Sequence, residues 1–377
     1  MIPSLYIHIP FCKQICHYCD FNKVFYDNQP VDSYLRALEL ELISTFNHFP
    51  TEKLKTLFIG GGTPTALSVK ELNQLMEIIH RYVSVEELVE FSVEANPNEV
   101  TLEKLQLLKQ AGVNRISFGV QAFQDELLQI LGRTHRKQEV IDTLEKAHQV
   151  GIEQLSIDLM FGLPKQTLQQ FQESLHIAFG LPISHLSTYS LQIEPKTVFY
   201  TLYRKGKLSR MSEDLEATMY EILIEEAEKH QFEQYEISNF AKDSCVSHHN
   251  LTYWNNDEYY GIGAGAHSYM NGVRRSNIGP IFKYIDAIND TQKAYAEEIV
   301  LTKKEKMEEF MFMGLRKRKG ILIDEFKKRY GENVEEYFKK EIEELVQYEL
   351  LEQTKDAIRL TNKGLLLGNE VFERFIR

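Results

Sequence analysis

Three cysteines lie within eight residues of one another near the start of the chain. Cys12, Cys16 and Cys19 form the pattern C-x3-C-x2-C directly after a predicted strand. Thiolates are the usual protein ligands of iron–sulfur clusters, and a short loop can place three of them around one face of a cluster of four irons. Such a cluster keeps one iron without a protein ligand. The amino and carboxylate groups of a small molecule can chelate this iron. The spacing therefore predicts a [4Fe-4S] cluster with an open iron.

A zinc site is the alternative for these thiols. Structural zinc takes four ligands, typically in C-x2-C pairs, and His17 is the nearby residue that could complete a set. Because His17 stands between two of the cysteines, it would be a poorly placed fourth ligand, which favours the cluster. The remaining cysteine, Cys245, lies far away in sequence. We predict that it is a buried thiol without a chemical role.

A glycine-rich run follows the second predicted strand. Gly60, Gly61 and Gly62 precede Thr63 and lie directly after residue 59, where that strand ends. Without a Cβ atom the backbone can approach a ligand closely and can adopt positive φ. Three glycines alone could simply form a tight turn. Their place after a strand, with the cysteine loop before them, predicts a ligand-binding loop.

Polar side chains stand at the ends of the strands that follow. Glu94 ends the third strand and Asp158 ends the fifth, while Gln121 and Arg133 follow the fourth. A carboxylate can pair with an ammonium group, and an arginine can bind a carboxylate through two parallel hydrogen bonds. Because parallel strands end at one edge of a sheet, we expect these four residues to line a common site.

A scaffold of repeated strand–helix units is predicted to position these residues. The predicted strands cover residues 5–9, 54–59, 88–94, 114–118, 154–159 and 185–190, and the helices between them cover residues 31–46, 69–82, 102–111, 137–150 and 168–179. Ser68 and Thr101 are predicted helix N-caps, and Gly112 and Gly151 are predicted helix ends. Parallel strands need such crossovers, and six units are fewer than the eight of a closed barrel. The fold class is therefore α/β, a partial (β/α)6 TIM-like barrel.

The remainder of the chain changes in character, and we predict three domains. Residues 1–210 form the barrel with the [4Fe-4S] loop, 211–300 an α+β extension with a loop-rich stretch at 235–269, and 301–377 a small winged-helix-like domain. In the last we expect a two-stranded wing between helices. Residues 303–377 contain 17 Lys and Arg against 16 Asp and Glu. This balance gives no basic footprint for nucleic acid.

The composition and charge of the chain indicate where the protein is located and which partners it does not bind. The 377 residues carry a formal net charge of −12, which argues against a general nucleic-acid binder. No apolar run approaches the roughly 20 residues needed to span a bilayer. The first residues lack the basic and apolar segments of a signal peptide. We therefore expect a cytoplasmic protein.

Three motifs together resemble the radical S-adenosylmethionine (radical SAM) family, in its coproporphyrinogen dehydrogenase branch. They are the run YIHIPFC, the spacing C-x3-C-x2-C and the run GGGTP, and the resemblance covers most of the chain. It implies that the cluster passes an electron to the sulfonium of S-adenosylmethionine (SAM), which yields methionine and a 5′-deoxyadenosyl radical. It also implies SAM contacts by Tyr6, Gly61, Gly62, Thr63, Glu94, Gln121, Arg133 and Asp158.

A further motif, H-N-x-x-Y-W, begins at His249 and ends at Trp254, the only tryptophan. Histidine is a common axial ligand of heme iron, and aromatic rings can stack on a porphyrin. The motif is similar to that of heme chaperones in the same family. This resemblance implies that His249 contacts heme, that the chain passes heme to membrane or respiratory hemoproteins, and that the cluster and SAM regulate transfer or dimerisation. A homodimer and a monomer both stay open.

Two departures distinguish this sequence from the dehydrogenase. The dehydrogenase pattern is C-x3-C-x2-C-x-C, but Phe21 stands at the position of its fourth cysteine. The dehydrogenase also carries a substantial N-terminal segment, whereas Cys12 lies close to the start of this sequence. Both features favour a heme carrier over the alternative, an enzyme that decarboxylates two propionates of coproporphyrinogen III. No catalytic residue is assigned.

Overall fold

The computed structural model describes residues 2–51, 53–243 and 245–376. In these ranges the strands are β1 (Ser4–Ile9), β2 (Phe11–Cys12), β3 (Val24–Phe25), β4 (Thr56–Gly61), β5 (Glu90–Ala95), β6 (Arg115–Gln121), β7 (Gln154–Phe161), β8 (His185–Ser190), β9 (Glu233–Glu236), β10 (Asn239–Ala241), β11 (Tyr259–Ile262), β12 (His267–Met270), β13 (Val273–Asn277), β14 (Tyr295–Val300), β15 (Ile321–Leu322), β16 (Leu351–Gln353) and β17 (Ala357–Leu360).

The helices alternate with the first strands and dominate the last third of the chain. They are α1 (Val31–His48), α2 (Val69–Tyr82), α3 (Leu102–Gln110), α4 (Asp125–Leu131), α5 (Lys137–Gln149), α6 (Leu168–Phe179), α7 (Val198–Arg204), α8 (Glu213–Lys229), α9 (His248–Trp254), α10 (Ile281–Thr291), α11 (Lys303–Gly314), α12 (Ile323–Tyr330), α13 (Val334–Tyr337), α14 (Lys339–Gln347), α15 (Asn362–Leu366) and α16 (Gly368–Glu373). Short 3-10 helices cover Pro64–Ala66, Val85–Glu87 and Pro97–Glu99.

One large sheet forms the barrel and continues into the extension. Its strand order is β14-β13-β12-β11-β1-β4-β5-β6-β7-β8-β10-β9. From β1 through β4 to β8 every neighbouring pair is parallel, and the strands follow one another in chain order. This arrangement confirms the predicted α/β fold with six parallel strands in an open barrel.

Two barrel strands begin two residues later than predicted. β4 begins at Thr56 rather than at residue 54, and β5 begins at Glu90 rather than at residue 88. Thr56 is paired on one side with Ser4 and on the other with Glu90. The register with β1 therefore sets both starts, and the pattern of apolar residues alone does not contain that register.

The predicted helix ends at four positions are confirmed. At α2 the Ser68 side chain accepts a hydrogen bond from the backbone N–H of Glu71, whose carboxylate accepts one from Ser68 N at 2.7 Å. Thr101 caps α3 through its side chain. Gly112 and Gly151, which follow α3 and α5, have φ values of +89° and +87°. These caps fix where each helix turns back toward the sheet.

The side chains of β1 alternate between two environments. Leu5, Ile7 and Ile9 are fully buried in the main hydrophobic core, between the sheet and its outer helices. The residues between them point the other way, into the barrel, because successive side chains of a strand face opposite sides. The outward face of the sheet thus supplies the packing energy, and the inward face is left for polar groups.

The extension contains more regular structure than we predicted. β11 pairs in parallel with β1, and β10 pairs antiparallel with β8, so the extension occupies both edges of the barrel sheet. The prediction of a loop-rich stretch at residues 235–269 was wrong. Strands of three or four residues, such as β9 to β12, are too short to show a period of two in sequence.

The C-terminal region has a three-stranded sheet where a two-stranded wing was predicted. Its order is β15-β17-β16, with α14 before β16 and with α15 and α16 after β17. The additional strand, β15, has two residues and pairs with β17 across Ile321 and Ile358. A strand this short has no sequence signature. The domain limits at residues 210 and 300 stay a prediction.

Two further expectations concern exposure. Among the described residues, no helix is long and apolar enough to cross a membrane. Cys245 is half-buried rather than buried. It lies in the loop between β10 and α9. Its carbonyl oxygen accepts a hydrogen bond from Arg115 Nη1 at 3.1 Å.

A buried carboxylate joins α1 to the extension. Glu41 lies in α1 and accepts hydrogen bonds from Gly263 N at 2.8 Å, from Asn277 Nδ2 at 2.6 Å and from the Tyr284 hydroxyl. All three donors belong to the segment after β11. The carboxylate therefore fixes the extension to the first helix of the barrel.

We expect Glu41→Ala to lower the free energy of unfolding by about 3 kcal/mol, because three buried donors lose their acceptor. Glu39→Ala is the matched control, since it removes a carboxylate of the same helix that pairs with the largely exposed Arg81. The control should lose less than about 1 kcal/mol. Urea denaturation followed by circular dichroism measures both, and equal losses would contradict this role of Glu41.

Candidate functional site

A cavity of about 360 Å³ opens at the edge of the sheet where the parallel strands end. Ten of the residues predicted from sequence line this ligand cavity: Cys12, Cys16, Cys19, Gly61, Gly62, Thr63, Glu94, Gln121, Arg133 and Asp158. They come from β2, from the C-terminal halves of β4, β5, β6 and β7, and from the loops that follow. Asp158 was predicted to end its strand, but β7 continues to Phe161. The fold thus brings together residues that only their positions at strand ends connect in sequence.

The cysteine loop is fixed to its neighbours at Cys12. This residue pairs with Phe25 between β2 and β3, and its Sγ accepts a hydrogen bond from the Thr63 hydroxyl at 3.7 Å. Burial raises the pKa of the Cys12 thiol to about 12 and also raises the pKa of the Cys19 thiol. Metal coordination would remove these protons. Three cysteines that line one cavity are a donor set that suits an iron–sulfur cluster.

His17 is bound to α4 rather than to the thiols. Its Nδ1 donates to the carbonyl oxygen of Ile130 at 2.9 Å, and its backbone N–H donates to Leu131 O at 2.9 Å. Within residues 2–51, 53–243 and 245–376, no three histidine, cysteine, aspartate or glutamate side chains converge closely enough to bind a single metal ion. The geometry gives the zinc alternative no fourth ligand at His17.

Gly61 has to be a glycine for two reasons, its backbone conformation and the lack of space for a Cβ atom. Gly61 has a φ of +112°, and a Cβ on it would lie 2.3 Å from Cε1 of His8. Gly62 N donates to Ile9 O and Thr63 N donates to Phe11 O, both at 2.8 Å. The loop is therefore joined to the start of the cysteine loop by backbone hydrogen bonds, and it presses directly on the His8 ring.

Two half-buried carboxyl groups face the ligand cavity. Glu94 Oε2 accepts from Gly61 N at 3.0 Å, and Asp158 Oδ1 accepts from the Ser117 hydroxyl at 3.1 Å. Burial, together with the nearby Asp158, raises the pKa of Glu94 to about 7, and burial also raises the pKa of Asp158. Among the residues that the structure describes, neither group has a cationic hydrogen-bond partner, so this part of the cavity favours a ligand that carries positive charge.

Arg133 connects three parts of the cavity wall. Its Nη1 donates to Asn96 Oδ1 at 2.6 Å and its Nη2 donates to the Tyr18 hydroxyl at 2.8 Å. Asn96 in turn donates to the Thr63 hydroxyl at 3.1 Å. The Nε atom of Arg133 is buried and has no hydrogen-bond partner among the described residues. A buried donor without a partner is costly, and a ligand acceptor would satisfy it.

Sequence reasoning missed Asn96 and Tyr18. The position of Asn96 directly after β5, two residues after Glu94, is a signal that could have identified it. Tyr18 stands inside the cysteine motif, in which only the cysteines were predicted to be ligands. Its contact with Arg133 depends on the fold, because the two residues are 115 positions apart.

Gln121 reaches the cavity through a break in the β6 ladder. The register of β6 against β7 shifts between Gly119 and Gln121, and Gln121 has a φ of +67°. Such bulges redirect a side chain next to a functional site. The strand thus extends past residue 118, the predicted end, and the bulge turns the amide toward the cavity.

Tyr6 lies below the cavity wall and acts on it through His8. His8 Nε2 lies 2.8 Å from the carbonyl oxygen of Asn22, which can only accept, so this nitrogen carries the proton. The other nitrogen, Nδ1, therefore accepts from the Tyr6 hydroxyl at 3.0 Å. Asn22 lies in the cysteine loop and donates to Ala264 O and Gly279 O. His8 was missed because YIHI reads as an ordinary strand.

His249 lies at the opposite end of the barrel, next to the first residues of the strands. Its side chain is fully buried, with Nδ1 2.9 Å from the Thr56 hydroxyl and Nε2 2.9 Å from the Tyr253 hydroxyl. The ring stacks on Phe58 with 5.1 Å between centroids. Burial lowers the pKa of His249 to about 3. As placed, the ring does not fit the predicted contact with heme.

The neighbouring aromatic side chains of the motif are also engaged within the protein. Tyr253 packs edge-on against Tyr259 with 4.7 Å between centroids, and the Arg316 guanidinium lies 4.5 Å from the centre of the Trp254 ring. Both rings therefore already contact other side chains of the protein. The motif is a packed element of this structure.

Family models match two parts of the chain. The model described as "Radical SAM superfamily" matches residues 6–178, which contain the cysteine loop, the glycine loop and Asp158. The model described as "HemN C-terminal domain" matches residues 301–367. The first match covers the strands that form the ligand cavity, and the second covers the small three-stranded sheet.

Curated relatives match over the full length. A Bacillus subtilis (strain 168) protein named "Heme chaperone HemW" is 50% identical over 374 residues, which is 99% of each chain. A Lactococcus lactis subsp. lactis (strain IL1403) protein of the same name is 43% identical over 99% of this chain and 97% of that one.

A solved structure shows the same fold. The coproporphyrinogen III oxidase HemN from Escherichia coli, described as a radical SAM enzyme, superposes with a TM-score of 0.86. The match covers 99% of this chain and 90% of that chain, with 24% sequence identity. At this identity the likeness concerns the architecture, a TIM-like α/β barrel with a C-terminal domain.

We expect Gly61→Ala to lower the free energy of unfolding by about 3 kcal/mol, because the Cβ adds a collision with His8 to the strain of positive φ. Gly206→Ala is the matched control, since Gly206 has a φ of +64° and an added Cβ meets nothing within 4 Å. The control should lose about 1 kcal/mol. Thermal and urea denaturation measure the stability of both variants. Equal losses would show that the His8 ring moves away from the added Cβ at no cost in free energy.

Proposed function

The chain belongs to the HemW family of radical SAM proteins, and on this premise we propose that it is a heme chaperone, which binds heme and passes it to acceptor hemoproteins. Membership of the superfamily gives it a [4Fe-4S] cluster and SAM as cofactors. The observation that carries the proposal is the 50% identity, over 99% of both chains, with a protein named heme chaperone. The cytoplasm stays our prediction for its location.

The cluster is assigned in this proposal to Cys12, Cys16 and Cys19. All three cysteines line the ligand cavity, and the Thr63 hydroxyl is placed to donate to the sulfur of Cys12. When bound, the cluster supplies an iron without a protein ligand, which the amino and carboxylate groups of SAM can chelate. The protein's own part would be to supply three thiolates, one for each of the other three irons.

SAM is proposed to occupy the cavity next to these cysteines. Glu94 and Asp158 would pair with its positively charged groups, and Arg133 would direct its free Nε toward an acceptor such as a carboxylate. Gln121 would add an amide hydrogen bond from the β6 bulge. Gly61, Gly62 and Thr63 would offer backbone close to the ligand, and Tyr6 would support them through His8.

Phe21 supports the carrier over the dehydrogenase. It lines the mouth of the ligand cavity, and 66% of its surface is exposed. The resemblance places a cysteine at this position in the dehydrogenase. An exposed ring supplies no thiol chemistry there, and it offers apolar surface of a kind that a planar porphyrin can cover.

Heme binding is tested by titrating the anaerobically reconstituted protein with heme and following absorbance. We expect saturation near one heme per chain, then loss of the bound spectrum when apomyoglobin is added as a generic acceptor. The same preparation, given coproporphyrinogen III, SAM and a reductant, should form no protoporphyrinogen. Sustained decarboxylation would refute the chaperone proposal in favour of the dehydrogenase.

SAM affinity should depend on pH through Glu94. In the free protein the pKa of Glu94 is raised to about 7, so the carboxyl is mostly ionised at pH 8 and mostly protonated at pH 6. A cationic ligand binds the ionised form, and the dissociation constant should therefore rise about tenfold from pH 8 to pH 6. Anaerobic calorimetry on the cluster-loaded protein measures this change.

The matched control for the pH dependence is Glu94→Gln. The amide keeps the size of the side chain and its acceptor oxygen for Gly61 N, but it cannot ionise. This variant should bind SAM weakly at both pH values, with a flatter profile. A wild-type affinity that does not change between pH 8 and pH 6 would mean that Glu94 does not meet the ligand's charge.

A further inference from the structure

Helix α9 closes the barrel at the end opposite the ligand cavity. It begins after Ser247, and the Glu90 carboxylate accepts hydrogen bonds from His248 N at 2.7 Å and from the Ser247 hydroxyl at 3.2 Å. Ser92 also donates to Glu90 at 2.9 Å. Glu90 is the first residue of β5 and is 1% exposed. A buried carboxylate thus holds the N-terminus of α9 against the first residues of the strands.

A chain of hydrogen bonds below α9 fixes the proton on His249. The chain ends on the carbonyl oxygen of His248, which can only accept, so the Thr252 hydroxyl donates to it at 3.3 Å. Thr252 then accepts from Ser4 at 2.7 Å, and Ser4 accepts from Thr56 at 2.8 Å. The Thr56 hydroxyl donates its one hydrogen to Ser4, so it can only accept a hydrogen bond from His249. The Nδ1 atom of His249 is therefore the protonated one.

The second nitrogen of this ring is occupied as well. With the proton on Nδ1, the lone pair lies on Nε2, and it accepts from the Tyr253 hydroxyl at 2.9 Å. Iron coordination needs such a lone pair, in a ring that heme can reach. The His249 side chain has no exposed surface, and burial lowers its pKa to about 3, which keeps the ring neutral. Both ring nitrogens of His249 therefore already have hydrogen-bond partners within the protein.

The ring of His249 also supports the cavity from below. It stacks on Phe58 with 5.1 Å between centroids and lies 6.5 Å from Tyr6, and Phe58 stacks on Tyr6 at 6.1 Å. Tyr6 donates to His8, on which the glycine loop rests. Packed layers of inward side chains transmit position because a dense interior deforms little.

We infer that His249 is a positioning residue of the SAM site, which holds Tyr6 and His8 in place from the closed end of the barrel, and that its ring does not bind heme iron. The second half rests on the proposed heme binding. The first half depends only on the SAM site.

Three substitutions test the first half of the inference. His249→Ala removes the ring, Thr56→Val removes the partner of Nδ1, and Tyr253→Phe removes the partner of Nε2. Each should weaken SAM binding by about three- to tenfold, the range expected when part of a buried hydrogen-bond network is lost. His248→Ala is the matched control, since its side chain is exposed on the same helix. It should leave the affinity unchanged.

SAM binding is read from the electron paramagnetic resonance spectrum of the reduced cluster, as the SAM concentration that gives half of the spectral change. A role in stability alone would lower the melting temperature of the three variants and leave that concentration unchanged, which would overturn the inference. If His249→Ala does not fold, the milder Thr56→Val and Tyr253→Phe carry the same test.

The second half is tested on the heme-loaded variants by their absorption and resonance spectra. If the inference holds, His249→Ala keeps the heme stoichiometry and the axial-ligand spectrum of the wild type. Loss of that spectrum in His249→Ala, with normal or tighter heme binding in Tyr253→Phe, would overturn it, because that pair of results identifies a freed Nε2 as the iron ligand. If the wild type binds no heme at all, the proposed function fails, while the SAM measurements still decide the first half.

Discussion

His8 is the point where the barrel meets both loops of the ligand cavity. One nitrogen donates to the Asn22 carbonyl of the cysteine loop, the other accepts from Tyr6, and the ring face meets Gly61. A neutral imidazole can serve in this way because it is donor and acceptor at once, and burial lowers the pKa of His8 so that it stays neutral. The two loops therefore share one support. A change in the position of this ring moves the thiols and the glycine backbone together.

The charges around the cavity complement the ligands of the superfamily. Glu94 and Asp158 are half-buried and have no cationic hydrogen-bond partner among the described residues, and desolvation raises the pKa of each. Such carboxyl groups are held at a free-energy cost, which a cationic sulfonium and ammonium can offset when they enter. Arg133 is anchored by Asn96 and Tyr18 and keeps one buried donor free. The site thus complements a ligand that is cationic and also carries a carboxylate.

Most of the cavity could be predicted from sequence because polar residues in the C-terminal halves of parallel strands interrupt their apolar runs. Glu94 and Asp158 were found in this way. The bulge that turns Gln121 inward could not be predicted, since it depends on the register between β6 and β7. The burial of His249 was equally hidden, because its partner Thr56 lies 193 positions away. A motif indicates which residues matter, whereas only the pairing of distant segments shows which of their atoms are free.

The pairing of β11 with β1 places a demand on synthesis. Ser4 is opposite Tyr259, so the two partners are separated by 259 − 4 = 255 residues. At about 5–20 residues per second, a ribosome needs about 13–50 s to supply the second strand after the first. During that interval one edge of the sheet has unpaired backbone groups, which can pair with a neighbouring chain. Translation speed therefore sets how long each nascent molecule is open to aggregation, whatever the stability of the finished fold.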